Sequence, residues 1–380
     1  MRLTLRHAPR VRVSTVLAVT IASALIVASA VAEASPSAPM LPGTLRTIGS
    51  TVPKNGDVNP YGMALVQHST GRLAAGDVLV SNFNSVKNLQ GTGTTIVEVS
   101  PAGVKTLFAT IDVRSLPGAC PGGVGLTTAL SVFKPGWVVV GSLPSSTGKG
   151  ADAKAGCLLV LDSNGKVVET WSGHGINGPW DMTATDHGSS GSLFVTNVLN
   201  GTVAAKGSVA RQGTVVRLDL ALPSGKPPLL TKSTVVGSGF PERTDPAALV
   251  VGPTGVGVGA AGQVYVADTA DNKINVIAHA TTRNNSGGEG TTLTRGGALN
   301  RPLGLFVTPS GAVLTVNASD GEMVVTNSAG KQTAAAMLDA SGKPKGAGAL
   351  FGLILASHGL LLFVDDVTNT LDSFASSTLR

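Results

Sequence analysis

Six short polar residues recur at one place along the chain, and their oxygens are the first candidates for chemistry. Asn82, Ser142, Asn197, Asp268, Asn317 and Asp365 each stand six positions after a glycine, closing an apolar run such as Gly191-Ser-Leu-Phe-Val-Thr-Asn197. Two uses of such a set are open. Each side chain can cap its own following turn by accepting a backbone N–H, as Asx and Ser residues do. Drawn into a ring, they can instead grip a ligand or a hard cation through oxygen. Repetition in every unit favours capping, because a binding site needs asymmetry and a fold signature does not.

Asp181 supplies asymmetry. Where the other repeats place Gly62, Gly125, Gly255, Gly304 and Gly352, the third places an acid directly after Trp180. An unpaired carboxylate is costly to bury. Asp181 should therefore be solvated, paired with a cation, bound to a ligand, or bonded to an amide of the neighbouring loop that also carries His174. Asp181, Trp180 and His174, with Asn82, Asn197, Asp268, Asn317 and Asp365, form the expected ligand-binding set; no residue is assigned a catalytic role. His68, His187, His279 and His358 lie far apart in the sequence, which disfavours a zinc site needing three or four converging ligands. No Gly-x-Ser-x-Gly elbow is present, so an α/β-hydrolase mechanism has no support.

The elements that must position these residues follow from the repeat itself. The six glycines opening the apolar runs are spaced 60, 55, 71, 49 and 48 residues apart. The runs at 77–82, 137–142, 192–197, 263–268, 312–317 and 360–365 are rich in β-branched residues and bounded by turn formers, so they read as strands. A strand opened by glycine, usually after proline as in Pro60-Tyr-Gly62, precedes each one. A third and usually a fourth strand follow, and 283–295 reads as a polar surface loop. Six such units describe an all-β, six-bladed β-propeller of four-stranded antiparallel blades. The last unit lacks its fourth strand, and Thr44–Gly49 is expected to supply it and close the ring. The domain then spans 44–380, after a linker at 35–43.

The segment Gly252-Pro-Thr-Gly-Val-Gly-Val-Gly-Ala-Ala-Gly-Gln-Val-Tyr-Val-Ala-Asp-Thr-Ala-Asp-Asn-Lys-Ile274 resembles an NHL repeat, most specifically in its Tyr-Val-Ala-Asp core. The resemblance implies six blades and a kinship with binding scaffolds, lactonases, strictosidine-synthase-like proteins and an amidating lyase. Lactonase-type relatives carry a Glu at the entrance of the first blade, where this chain has Asn59-Pro60-Tyr61; Ser319-Asp320-Gly321 resembles the Asp-Gly part of such sites. Two functions follow. One is an NHL-like module, without cofactor, that binds a protein or small molecule at the channel-entrance face. The other is a metal-assisted hydrolase or lyase with calcium on Asp181, Asn197, Asp268 and Asp365, since such oxygens suit calcium better than zinc.

Residues 1–34 carry four arginines, an apolar run and then Ala32-Glu33-Ala34, the order of a secretory signal peptide. Its removal lowers the formal charge from +6 to +3. The remainder has no Lys/Arg cluster of the kind that follows phosphates, so no nucleic-acid partner is expected. It has no second apolar stretch of spanning length either, and a monomer that is secreted or periplasmic is expected. The two cysteines, Cys120 and Cys157, favour a disulfide in an exported chain. N-terminal sequencing of protein recovered outside the cytoplasm should begin at Ser35; a start at Met1 would contradict the cleavage.

Overall fold

Each apolar run closing on a polar residue is buried along both faces, as in Val138–Ser142 and Val264–Asp268. A continuous rather than alternating pattern is what a strand sandwiched between two other sheets requires. The computed structural model describes residues 38–379. The expected signal peptide and residues 35–37 of the expected linker lie outside the described residues. Among those described, no helix is long and apolar enough to cross a membrane.

The strands form six antiparallel sheets around an axis. Blade one contains Val58–Leu65, Val78–Asn84, Thr95–Val99 and Lys105–Thr110. Blade two contains Leu126–Val132, Val138–Ser142, Cys157–Leu161 and Val167–Trp171. The first strands of blades three to six are Pro179–Asp186, Pro253–Val258, Pro302–Val307 and Leu350–Leu355. Each first strand touches that of the next blade, and the sixth touches the first. Thr44–Ser50 pairs with Thr370–Ala375, with Leu45 opposite Phe374, and completes the sixth sheet as expected. Part of the expected linker is also engaged: Met40 bridges Ala335, and Leu41 packs beside Phe374.

Blade three departs from the four-stranded expectation. Its Ala210–Ala221 and Leu229–Asp245 strands are long, and a fifth strand, Leu249–Val251, folds back on the latter. That insertion accounts for the longest gap between repeats. Thr291–Arg295 is not loop but the fourth strand of blade four, paired with Lys273–Ile277.

All six first strands slip register against the second strand at the same place. Pro60, Leu126, Pro179, Pro253, Pro302 and Leu350 pair with the six recurrent polar residues, and a bulge follows each. Bulges re-aim side chains, and here they turn two successive residues toward the axis. The register corrects one reading. Leu126 pairs with Ser142 as Pro179 pairs with Asn197, and Leu130 pairs with Val140 as Met182 pairs with Val195, so the place of Asp181 is taken in blade two by Thr128 and Ala129 together, not by Gly125. The remaining four positions need glycine: a Cβ on Gly304 would lie 1.9 Å from the Phe351 carbonyl oxygen, and one on Gly352 would lie 2.4 Å from that of Tyr61.

Cys120 and Cys157 form the disulfide, with Cα atoms 5.3 Å apart. The Cys120 loop folds over the second strand of blade two and is pinned where Gly122 N–H meets the Ala155 carbonyl. Closing this loop is worth about 3–4 kcal/mol in the chain-entropy model. Reduction, or the double change Cys120→Ala and Cys157→Ala, should lower the unfolding midpoint accordingly; equal midpoints under reducing and oxidising conditions would contradict it.

Candidate functional site

At the entrance end of the axis, the residues just before the glycine ring fill the channel. Tyr61 and Phe351 stack with ring centroids 3.7 Å apart, and Tyr61 and Phe83 at 4.4 Å. Trp180 and Leu303 join the same buried cluster, and Leu249–Val251 is folded into it. The Trp180 indole N–H donates to the Val250 carbonyl at 3.1 Å. Trp180 is therefore part of a plug that seals the channel, with its one polar atom satisfied.

Beside this plug, blades one and six enclose a polar pocket of about 410 Å³. Asn59, Asn84, Gln90, Asp366 and Asn369 line it. Asn59 adopts a left-handed backbone, φ 66°, which asparagine tolerates better than most residues. Its N–H donates to Asn369 Oδ1 at 2.7 Å. Asn84 Oδ1, Gln90 Oε1 and the Tyr61 hydroxyl are buried without a hydrogen-bond partner. Burial, and then the negative charge of Asp366, push the Tyr61 hydroxyl well above its usual range. Asp366 is itself pushed up to about 8, by burial first and then by Asp365 and Asp339.

The six recurrent polar residues bond within or beside their own blades, but only Asp268 and Asp365 cap the turn that follows them. Asn82 Nδ2 donates to the Thr51 carbonyl and to Thr95 Oγ1, and Ser142 Oγ accepts from Gly125 N–H. Asn197 Oδ1 accepts from Asn177 N–H, Asn317 Oδ1 from Asn300 N–H, and Asp365 Oδ1 from Val367 and Thr368 N–H. Asp268 accepts from Asp271 N–H and sits 3.4 Å from the Lys273 ammonium. Burial pushes Asp268 up to about 6. Its oxygens come within 4.8 Å of those of Asp271 and Glu289. Lys273 reaches Asp271 at 3.3 Å and Glu289 at 2.7 Å, and Arg211 pairs with the same two acids, so cations of the chain's own already occupy this cluster. Asp181, Asn197, Asp268 and Asp365 thus belong to four separate hydrogen-bond networks. Asp320 accepts from Glu322 N–H in an ordinary turn. His174 is exposed, its carbonyl accepting from Ser233 Oγ of the outer strand of blade three.

Asp181 lies on the other side of the plug. A cavity of about 280 Å³ runs along the first strands from the glycine ring toward exposed Gln67. Asp181 and Thr128 stand at its inner end, on neighbouring blades. Asp181 Oδ1 accepts from Met182 N–H at 2.8 Å, and Oδ2 from Val256 N–H of the next blade at 3.1 Å. Burial nevertheless pushes the carboxyl up to about 8. Thr128 Oγ1 is buried with no partner. The sequence singled out Asp181 but missed Thr128, Asp366, Asn84 and Gln90, because the blade-two bulge and the seam between first and last blades leave no local signal.

No family model matches the chain, and no curated protein matches it. Solved structures do match in fold. One is a calcium-binding regucalcin from Agrobacterium tumefaciens, at 14% identity, covering 89% of this chain and 96% of that one, TM-score 0.54. Another is a gluconolactonase from Xanthomonas campestris, at 13% identity, covering 91% and 99%, TM-score 0.53. A third is the PQQ-bound aldose sugar dehydrogenase from Streptomyces coelicolor, at 14% identity, covering 89% and 99%, TM-score 0.50. At these identities the likeness establishes the six-bladed propeller.

Asp181 titrates about pH 8 in the folded chain, against 3.8 for a free side chain. The folded state holds a proton that the unfolded chain releases between those values. The stability this gives is fully present below the lower value and lost as pH rises through the upper one. Asp181→Asn should therefore flatten the decline in melting temperature from about pH 4 to 8; an unchanged slope in a thermal-unfolding series would contradict the assignment.

Proposed function

We propose that the pocket between blades one and six receives a small, hydroxyl-rich molecule, and that the chain acts on it as a hydrolase or lyase of lactonase type. The observation that carries this reading is the pair of buried oxygens without donors, Asn84 Oδ1 and Gln90 Oε1, that line one concave, polar pocket with Asn59 and Asp366. Unpaired buried acceptors are destabilising, and a ligand bearing several hydroxyls supplies the missing donors. Asp366 is the group in this pocket able to exchange a proton with a bound molecule. Gluconolactonase and aldose sugar dehydrogenase among the fold neighbours support a sugar-like substrate, as analogy of fold only. The NHL-like repeat at 252–274 agrees with the same superfamily.

The same oxygens suit a hard cation, in keeping with the calcium-binding neighbour. Asp366, Asn84 and Gln90 would hold it, and a bound calcium would polarise a substrate carbonyl. A single carboxylate makes the site weak, in the roughly 10⁻⁴–10⁻³ M range of extracellular calcium modules. Binding without chemistry is the second reading, favoured by the sealed channel and by Asp366 being the only carboxylate among the described residues lining the pocket.

Sugar lactones should be hydrolysed faster than in buffer alone, with saturation, and Asp366→Asn should reduce the rate at least tenfold. Calcium at millimolar concentration should raise the melting temperature of the wild-type chain and not of Asp366→Asn. Lactone binding without turnover would leave the binding module; neither binding nor turnover would discard this pocket as the site.

A further inference from the structure

We propose that the cavity behind the plug is a second binding site, and that it takes a small aliphatic amine as its ammonium ion. It goes beyond the reading of the blade-one and blade-six pocket and stands apart from it, since the stacked Tyr61 and Phe351 rings and Trp180 separate the two.

The six-fold pattern of the axis is broken at two blades. At the tightest ring of the axis four blades present glycine, and only blades two and three present side chains, of which Thr128 and Asp181 are the polar ones. Both line one cavity, where the aliphatic side chains of Met63, Leu130, Met182, Leu305 and Leu353 stand beside the polar Gln67, Ser131 and Thr183. Each Asp181 oxygen receives one backbone N–H, which leaves about half of a carboxylate's four acceptor positions open. The Thr128 hydroxyl has no partner at all. A primary ammonium carries three donors and no acceptor, so it matches a carboxylate and a hydroxyl together. An alcohol of the same length can bond to both but brings no positive charge to the ionised carboxylate, and a carboxylate ligand is repelled by it. An aliphatic body then buries against the methionine and leucine wall.

Burial keeps Asp181 protonated to about pH 8, so binding at lower pH must release a proton: the ammonium ion displaces the carboxyl hydrogen, which leaves to solvent. No other titratable side chain among the described residues lines the cavity; His68, Lys134 and Asp186 stand in the adjoining depression at the rim. Affinity should therefore rise about tenfold per pH unit between pH 6 and 8.

Isothermal titration of the full chain with n-hexylamine, n-hexanol and hexanoate tests this. The amine should bind at least tenfold more tightly than the alcohol at pH 8, and hexanoate not at all. In Asp181→Asn the preference should vanish while hexanol still binds, which shows the cavity intact. Thr128→Val should weaken the amine several-fold while leaving its dependence on pH in place. Should Asp181→Asn fail to fold, the pH dependence of the wild type and the Thr128→Val result decide. Equal binding of amine and alcohol, a preference that survives Asp181→Asn, an affinity indifferent to pH, or no binding by any probe would each overturn the proposal.

Discussion

Crowding of the six first strands at the axis governs this molecule. The backbones approach so closely that a single methyl group would collide with the neighbouring blade at Gly304 or Gly352. Glycine there is a steric requirement of ring closure, with no side chain left to do chemistry. Everything functional must then arise where the requirement is relaxed, on the residues just before the ring or in the two blades that carry a side chain within it. The repeated bulge makes this division, because it turns consecutive residues inward where a regular strand would alternate them.

The two ends of the axis become unlike for that reason. On the entrance side the inward residues are large, and Tyr61, Trp180, Leu303 and Phe351 collapse into a plug. The insertion in blade three completes the seal. Leu249 is held with φ 60°, a conformation that a branched aliphatic residue adopts only under constraint from its surroundings. Asp245, at the root of this hairpin, is buried between Arg243 at 3.2 Å and Arg301 of the loop that enters blade five. The pairing ties the lid to the far side of the plug. Polar residues on this face are displaced to the seam between first and last blades, where Asn59, Asn84 and Asp366 gather.

On the other side, the residues after the ring are mostly aliphatic and do not fill the channel, so a cavity persists with Asp181 at its inner end. The same carboxylate braces blade three against blade four through Val256 N–H. A structural tie of this kind accounts for one lone pair on each oxygen, and it leaves unexplained the neighbouring Thr128 hydroxyl, which satisfies nothing in the chain.

The sequence by itself determined the propeller: six glycine-to-Asx spacings mark six buried second strands, and they are legible because strand patterning and turn chemistry are local. It also determined the disulfide, from an even cysteine count and a flexible Pro/Gly loop, and the closing strand, from a unit left one strand short. The capping of the following turn was readable for Asp268 and Asp365, whereas Asn197 and Asn317 accept from the loops that precede their blades' first strands and Asn82 only donates. Only the tertiary structure decided the sites. Thr128 occupies the axial ring because of a bulge whose register no spacing in blade two reveals. Trp180 and Asp181 are adjacent in sequence yet face opposite sides of the seal, one in the plug and one in the cavity. Asp366 meets Asn59 and Asn84 only because the ring closes, which brings together residues some 300 positions apart. Convergence of that kind is set by how whole blades pack around the axis, and no local pattern of residues encodes it.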